Sequence, residues 1–414
     1  MTALHFATES TAPEFTTVES TGTDSTGTAA ETSVADLTQD SRLIRAGLPD
    51  AFQASYTTRH VAAAVEKAPA DFHLVSGNDV RPSAGDVVIA RVTHIGNHKR
   101  IETPESRKAI LFEGRLVMVA YGHRYAADQF LAHVPDTLEP LHLVAAGGIA
   151  GVVTASHDKM SSPTRIEPLG LLSDDDGVVN LAAHAPYRNT PVSVSPSVSS
   201  SIGTERPEVI GILGTSMNSG KSTVMACLIN GLVKAGRKVA AGKITGTGAG
   251  NDPMIYADAG ACQVLDFTDY GYPTTFRTSM EQIRSLTVNL VDELGAGGAD
   301  VVVVEIADGI YQEETARLLR DGLFQDTVDH IVFSATDALG ARAGIHELVS
   351  AGLRVSAASG VMTSSPLATN EARAVLAPFG VPVVGTFDLQ DPLEADALRG
   401  ARADAEHAAD ARTV

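Results

Sequence analysis

From Pro207 onward, short apolar runs alternate with stretches whose apolar residues recur at helical spacing. Runs at Val209–Leu213, Val239–Ile244, Val301–Glu305, His330–Ser334, Val355–Ser359 and Val381–Val384 predict strands. Between them, Lys221–Ala235, Ser279–Leu294, Glu313–Asp321, Leu339–Ala351 and Asn370–Phe379 predict helices. Such alternation predicts an α/β fold over 207–414, with a doubly wound, mostly parallel sheet covered on both faces. The Ala-rich stretch from Pro392 to Ala411 reads as a surface helix.

The pattern before residue 190 is different. After a mixed helical stretch from Arg45 to Lys67, β-branched runs at Asp86–His94, Arg115–Tyr121 and Leu141–Ala145 predict strands bounded by Gly, Pro and Asn. Gly147-Gly148 and Gly151 read as tight turns. Residues 41–190 are therefore expected to form a β-rich accessory or substrate domain, a small barrel being one form of it. The Thr/Ser-rich segment 1–40 has few large apolar groups and is expected to be disordered, because it cannot bury enough surface to offset its ordering entropy. Serine and proline without an apolar face mark 191–206 as a linker.

Composition narrows the class. In 414 residues, 44% are hydrophobic and 20% charged, which suits a globular protein of two ordinary domains. No apolar run reaches bilayer-spanning length, and the N-terminus lacks the basic residues and apolar core of a secretory signal. A cytoplasmic protein that does not enter membranes is expected. A net charge of −19 argues against nucleic acid as a partner, since phosphate backbones demand basic patches. A small-molecule substrate is expected, and homo-oligomerisation is left open. Cys227 and Cys262 cannot form a disulfide framework and are expected to be small buried hydrophobes.

The clearest chemistry lies at Ile210-Gly-Ile-Leu-Gly214-Thr215-Ser-Met-Asn218-Ser219-Gly220-Lys221-Ser222-Thr223. An apolar strand runs into a loop of small residues, and a helix begins at the lysine. Consecutive N–H groups and a helix N-terminus make a nest for anionic oxygens. Lys221 can reach terminal phosphates, and the Ser222 hydroxyl can ligate Mg²⁺. Gly214, Thr215, Asn218, Ser219, Gly220, Lys221, Ser222 and Thr223 are therefore the expected phosphate cradle. Five residues separate Gly214 from Gly220 where four are common, and Thr215 stands where the first glycine is usual.

Two further segments follow strand ends, where ligands bind in sheets of this kind, and a third is an aperiodic polar stretch. Lys243 is followed by the glycine-rich Gly246-Thr-Gly-Ala-Gly250 and by Asp252, which can orient a metal-bound water. The run VVVVE ends in Glu305, with Asp308 close behind, and carboxylates there can hold Mg²⁺ or accept a substrate proton. The stretch from Asp266 to Thr275 offers Asp269 and Thr275 as substrate contacts and reads equally well as a surface loop. In the N-terminal half, His94 and His98 straddle a turn, which suits a polar loop or an anion contact better than zinc. Arg124 can recognise a carboxylate or serve simply as surface charge.

The cradle Gly-Thr-x-x-x-x-Gly-Lys-Ser resembles the variant P-loop of dethiobiotin synthetase and its relatives in the SIMIBI class. In that family, a lysine matching Lys243 points into the phosphate and substrate region, and a glutamate matching Glu305 helps hold Mg²⁺. Thr363-Ser-Ser-Pro366 falls where that family recognises adenine, without the family's asparagine. GTSMNSGKST, KITGTGAGND, DAGACQVLDFTDYGYPTTF and EIADGIYQEET, within about 207–390, are similar to a group of bacterial P-loop proteins that includes the D-glutamate N-acetyltransferase family. The resemblance implies an enzyme that binds ATP and Mg²⁺ and acts on a small carboxylate or amine metabolite. Lys221, Lys243 and Glu305 would be its catalytic residues, and Ser222, Asp252 and Glu305 its metal ligands. It also implies an alternative, an N-acetyltransferase whose loop holds the phosphates of acetyl-CoA. A nucleotide-dependent regulatory protein is a third expectation. No Asn-Lys-x-Asp pattern for guanine recognition occurs.

Overall fold

Glu208–Gly214 is the strand around which the C-terminal half is organised. In the computed structural model, which describes residues 43–192 and 206–399, it lies inside a six-stranded sheet. The strand order is Gln263–Asp266, Val239–Lys243, Val301–Glu305, Glu208–Gly214, His330–Ser334, Val355–Ser359. Every pairing in this sheet is parallel. Alternation sends Val209, Leu213, Val302 and Val304 into one core and Ile210, Ile212, Val301 and Val303 into another. Burial on both faces explains why these strands read as unbroken apolar runs.

Helices Met280–Ala296, Ala338–Ser350 and Pro366–Leu376 cover the first face. Lys221–Lys234 and Pro392–Ala397 cover the second. Met225, Leu228 and Leu232 of the helix after the loop are fully buried, each contributing about 1.5–3 kcal/mol of apolar transfer. This is the α/β, doubly wound architecture the alternation predicts.

The sheet edges differ from the sequence expectation. Val381–Val384 touches the sheet only through a bridge between Ala358 and Val383. The opposite edge is Gln263–Asp266, whose four residues are too short to show a period. Helix Asn251–Asp258 was also not foreseen, hidden by the glycines before it and by Pro253, which its first turn tolerates. Of the helix expected from Pro392 to Ala411, Pro392–Ala397 is present, and residues beyond 399 lie outside the described residues. So do the expected tail 1–40 and most of the linker. Cys227 is buried as expected, but Cys262 is exposed, at the turn before the edge strand.

In the N-terminal half, Val87–His94, Leu116–Tyr121, Ile149–Ser156, Leu141–Ala145 and Thr164–Asp174 pair in a closed ring of five strands. Val88, Ala90, Val117, Val119, Leu143 and Ile166 share one core. From the other faces of the same strands, Val87, Ile89, Met118 and Ala120 pack with Val61, Ala62 and Val65 of helix Arg59–Lys67. That helix is shorter than the stretch expected from Arg45, since Ile44–Gly47 and Gln53–Ala54 are strands. Gly151 lies inside a strand rather than at a turn, where a Cβ would come 3.1 Å from Gly122 O and 3.2 Å from His133 O.

Among the described residues, both sheets belong to one compact unit. Tyr56 Oη donates to Asp266 Oδ2 at 3.0 Å, and Arg59 donates to Thr268 Oγ1 at 2.7 Å and Asp269 Oδ1 at 2.5 Å. Gly147 packs so tightly on Gly248 that a Cβ would fall 1.9 Å from the Gly248 carbonyl oxygen. Among the described residues, no helix is long and apolar enough to cross a membrane.

Candidate functional site

The loop 214–220 leaves the central strand at its carboxyl end and closes onto the helix Lys221–Lys234. Its geometry depends on two glycines. Gly220 adopts φ +98° at the helix N-cap, a conformation that favours glycine. A Cβ on Gly214 would meet Ser219 Oγ at 2.3 Å and Lys221 Cγ at 2.9 Å. The neighbouring strand His330–Ser334 fixes the loop from behind: Thr215 N donates to Ser334 O at 3.0 Å, and Ser334 Oγ donates to Ser219 O at 2.7 Å.

The Lys221 side chain folds back across the loop and donates to Ser216 O at 2.9 Å and to Asp308 O at 2.6 Å. Burial pushes its pKa down, against the opposing pull of Glu305 and Asp308. No carboxylate of the described residues forms an ion pair with it. Within the same loop, Thr215 Oγ1 and Ser219 Oγ are buried without a hydrogen-bond partner.

Beside the lysine, Ser222 Oγ donates to Glu305 Oε2 at 3.0 Å, and Tyr256 Oη donates to the same oxygen. Lys243 Nζ pairs with Asp252 Oδ2 and stands 3.4 Å from Glu305 Oε1. Burial opposes the Lys243 ammonium, yet Glu305 and Asp252 outweigh it and hold its pKa above the usual lysine range. Burial raises the Asp252 carboxyl, and Lys243 reverses this to leave it below its usual range. Burial also raises the pKa of Asp308 against both lysines.

Lys221, Ser222, Lys243, Asp252 and Glu305 thus converge at adjoining strand ends, although they are far apart in sequence. Gly214, Thr215, Ser219 and Gly220 shape the loop behind them. Asn218 points outward and donates to Asp128 Oδ2 of the N-terminal half at 2.6 Å, and Thr223 is exposed. Ser222, Asp252 and Glu305 offer hard oxygen donors. Mg²⁺ is commonly held by one or two carboxylates together with phosphates and water, so these residues fit it. Among the described residues, no group of three or more His, Cys, Asp or Glu is placed to hold a metal without such help.

Other candidates fall elsewhere. Asp269 does not face a ligand space, because Arg59 and His60 occupy its carboxylate. Thr275 Oγ1 accepts from Gly246 N at 2.8 Å, fixing the glycine loop. His94 is exposed near Glu113, whereas His98 is buried and its pKa is pushed down to about 4 by that burial. Thr363 donates to Gly360 O at 2.8 Å, within the short helix Val361–Ser364. Tyr256 was not anticipated. Once Asn251–Asp258 is known to be a helix, its i, i+4 spacing from Asp252 puts both on one face.

No protein-family model matches the chain, and no curated protein matches it. Solved structures give distant likenesses. The signal recognition particle receptor FtsY of Elizabethkingia anophelis in complex with GDP is 18% identical over 53% of this chain and 68% of that chain, with a TM-score of 0.34. Chloroplast FtsY from Physcomitrella patens is 16% identical over 53% and 70%, with a TM-score of 0.33. The 54 kDa signal recognition particle protein of Aeropyrum pernix in complex with GDP is 17% identical over 47% of each chain, also with a TM-score of 0.33.

Proposed function

We propose that the chain is an enzyme dependent on Mg²⁺ and ATP that acts on a small carboxylate or amine metabolite, by phosphoryl transfer or ATP-driven activation. One observation carries this function: the buried Lys221 ammonium sits at a helix N-terminus with only carbonyl oxygens as its hydrogen-bond partners among the described residues. An arriving phosphate meets a cation that no carboxylate holds, along with the loop's backbone amides. Ser222, Glu305 and Asp252 would hold Mg²⁺, which supplies charge neutralisation between phosphate oxygens. Lys243 would orient the two carboxylates and add positive charge beside the transferring group.

The N-terminal half contributes to a place for a small substrate, apart from Lys221, Ser222, Lys243, Asp252 and Glu305, none of which lines it. A cavity of about 520 Å³ lies where the two halves meet, within the size range of small-molecule sites. His123, Arg188 and Arg277 are among its lining residues. Their chemistry suits a carboxylate, and the N-terminal half would thereby contribute to specificity.

Thermal unfolding with ATP, ADP, GTP or acetyl-CoA, each with and without Mg²⁺, tests the proposal. A stabilisation by ATP that needs Mg²⁺ and disappears in Lys221→Ala is expected. Binding of MgATP that survives Lys221→Ala would reject it. Stabilisation by acetyl-CoA regardless of Mg²⁺ would favour acetyl transfer, with the loop holding CoA phosphates. Slow ATP hydrolysis indifferent to every metabolite would favour a regulatory protein.

A further inference from the structure

The strand Arg124–Tyr125 belongs to the N-terminal half, where Arg124 pairs with Ala132, and the segment that follows it meets the phosphate-binding half. Tyr125 lines a narrow cavity together with Thr245, Gly246, Ala307 and Asp308. A few residues on, Asp128 accepts the hydrogen bond from Asn218 at the tip of the loop. Arg124 is only 5% exposed. Its Nη2 donates to Gln129 Oε1 at 2.9 Å, while Nε and Nη1 are buried without any partner.

Two carboxylates act on this guanidinium from a distance, those of Asp308 and Asp128, and neither pairs with it directly. Burial dominates and pushes its pKa down to about 10. Asp308 links it to the site, since the backbone oxygen of Asp308 receives Lys221 and its carboxyl feels both Lys221 and Arg124. Burying a cation with unused donors is unfavourable, and folds that retain one commonly do so for a ligand.

We propose that Arg124 is an anion-binding residue of the phosphate site, whose unused N–H groups take oxygens of the terminal phosphoryl group on the nucleotide held by Lys221. This rests on the ATP-dependent function proposed above. The N-terminal half then completes the site as well as lining the substrate cavity.

The test compares the full chain with Arg124→Met, Arg124→Lys and Lys221→Ala. Calorimetric binding would use Mg²⁺ with the β,γ-imido triphosphate and the diphosphate of adenosine, with the guanosine pair in parallel. Thermal unfolding without ligand would be followed on the same samples. Arg124→Met is expected to weaken triphosphate binding at least about tenfold, the loss typical of a charge-assisted hydrogen bond. Diphosphate binding should change less than about threefold. The ligand-free Tm should hold or rise, because an unpaired buried cation has been removed, and Arg124→Lys should fall between the two.

Equal loss of both nucleotides together with a lowered ligand-free Tm would assign Arg124 a packing role and overturn the proposal. An unchanged triphosphate-to-diphosphate ratio, with binding abolished by Lys221→Ala, would overturn the role of Arg124 alone. Binding that survives Lys221→Ala would overturn the phosphate site and this role together.

Discussion

Ser222 Oγ donates to Glu305 Oε2 at 3.0 Å, joining the first turn of the helix after the loop to the end of the neighbouring strand. The same carboxylate accepts from Tyr256 and faces Lys243. Glu305→Gln keeps the shape and an acceptor but removes the charge. Urea unfolding should show a loss of about 1–3 kcal/mol, because Asp252 still neutralises Lys243. The Mg²⁺ dependence of nucleotide stabilisation should vanish in the same variant. Lys243→Met deprives the buried Glu305 and the half-buried Asp252 of their cation and should cost more, about 3–5 kcal/mol. A smaller loss for Lys243→Met than for Glu305→Gln would contradict this account.

Arg59 is the main polar clamp between the halves. It bonds Thr268 and Asp269 and lies 4.3 Å above the Tyr56 ring. Arg59→Ala should destabilise the chain by about 3–5 kcal/mol, since it leaves the buried Asp266 and the half-buried Asp269 beside each other without their guanidinium. Tyr56→Phe removes a single hydrogen bond to Asp266 and should cost about 1 kcal/mol. Equilibrium denaturation of both variants measures the contrast, and equal losses would mean that packing rather than charge holds the interface.

Glu208 supplies a pH dependence with a defined sign. Burial raises its carboxyl, but the nearby His330 imidazole and the Arg399 guanidinium outweigh that and leave its pKa lowered. His330 Nε2 stands 2.8 Å from Oε1, and Arg399 Nε donates to Oε2 at 2.6 Å. A lowered folded pKa means stability that is fully present above the ordinary glutamate value of about 4.3 and lost as pH falls below it. Tm measured from pH 6 to pH 3 should fall less steeply at the acid end in Glu208→Gln than in the parent. Parallel curves would remove Glu208 from the acid transition.

Much of the site was legible because its residues end strands. Lys243 and Glu305 close apolar runs, and a parallel sheet necessarily brings such ends together. Ser222 followed from the loop motif itself. Tyr256 was hidden, since recognising it required the helix Asn251–Asp258, which glycines and Pro253 disguise. Arg124 was visible as a residue but not as a neighbour of the loop, because its place depends on the pairing of a two-residue strand and the packing of two halves. Asp269 misled for a related reason: a polar stretch without period does not reveal that Arg59, more than two hundred positions away, will neutralise it. The core strands were plain for the opposite reason, as two-sided burial writes itself into four consecutive valines.

The short contact at Val381–Val384 has a consequence for association. Ala358, on the last strand of the sheet, gives its N–H to Pro382 O at 2.9 Å and receives Val384 N at 3.0 Å. The polar groups that would recruit another strand at that point are already occupied, and Pro382 has no N–H to offer outward. A second copy cannot prolong the sheet there without first displacing this segment. At Ala358 the border is closed by one bridge and a proline, a local obstacle to edge-to-edge pairing.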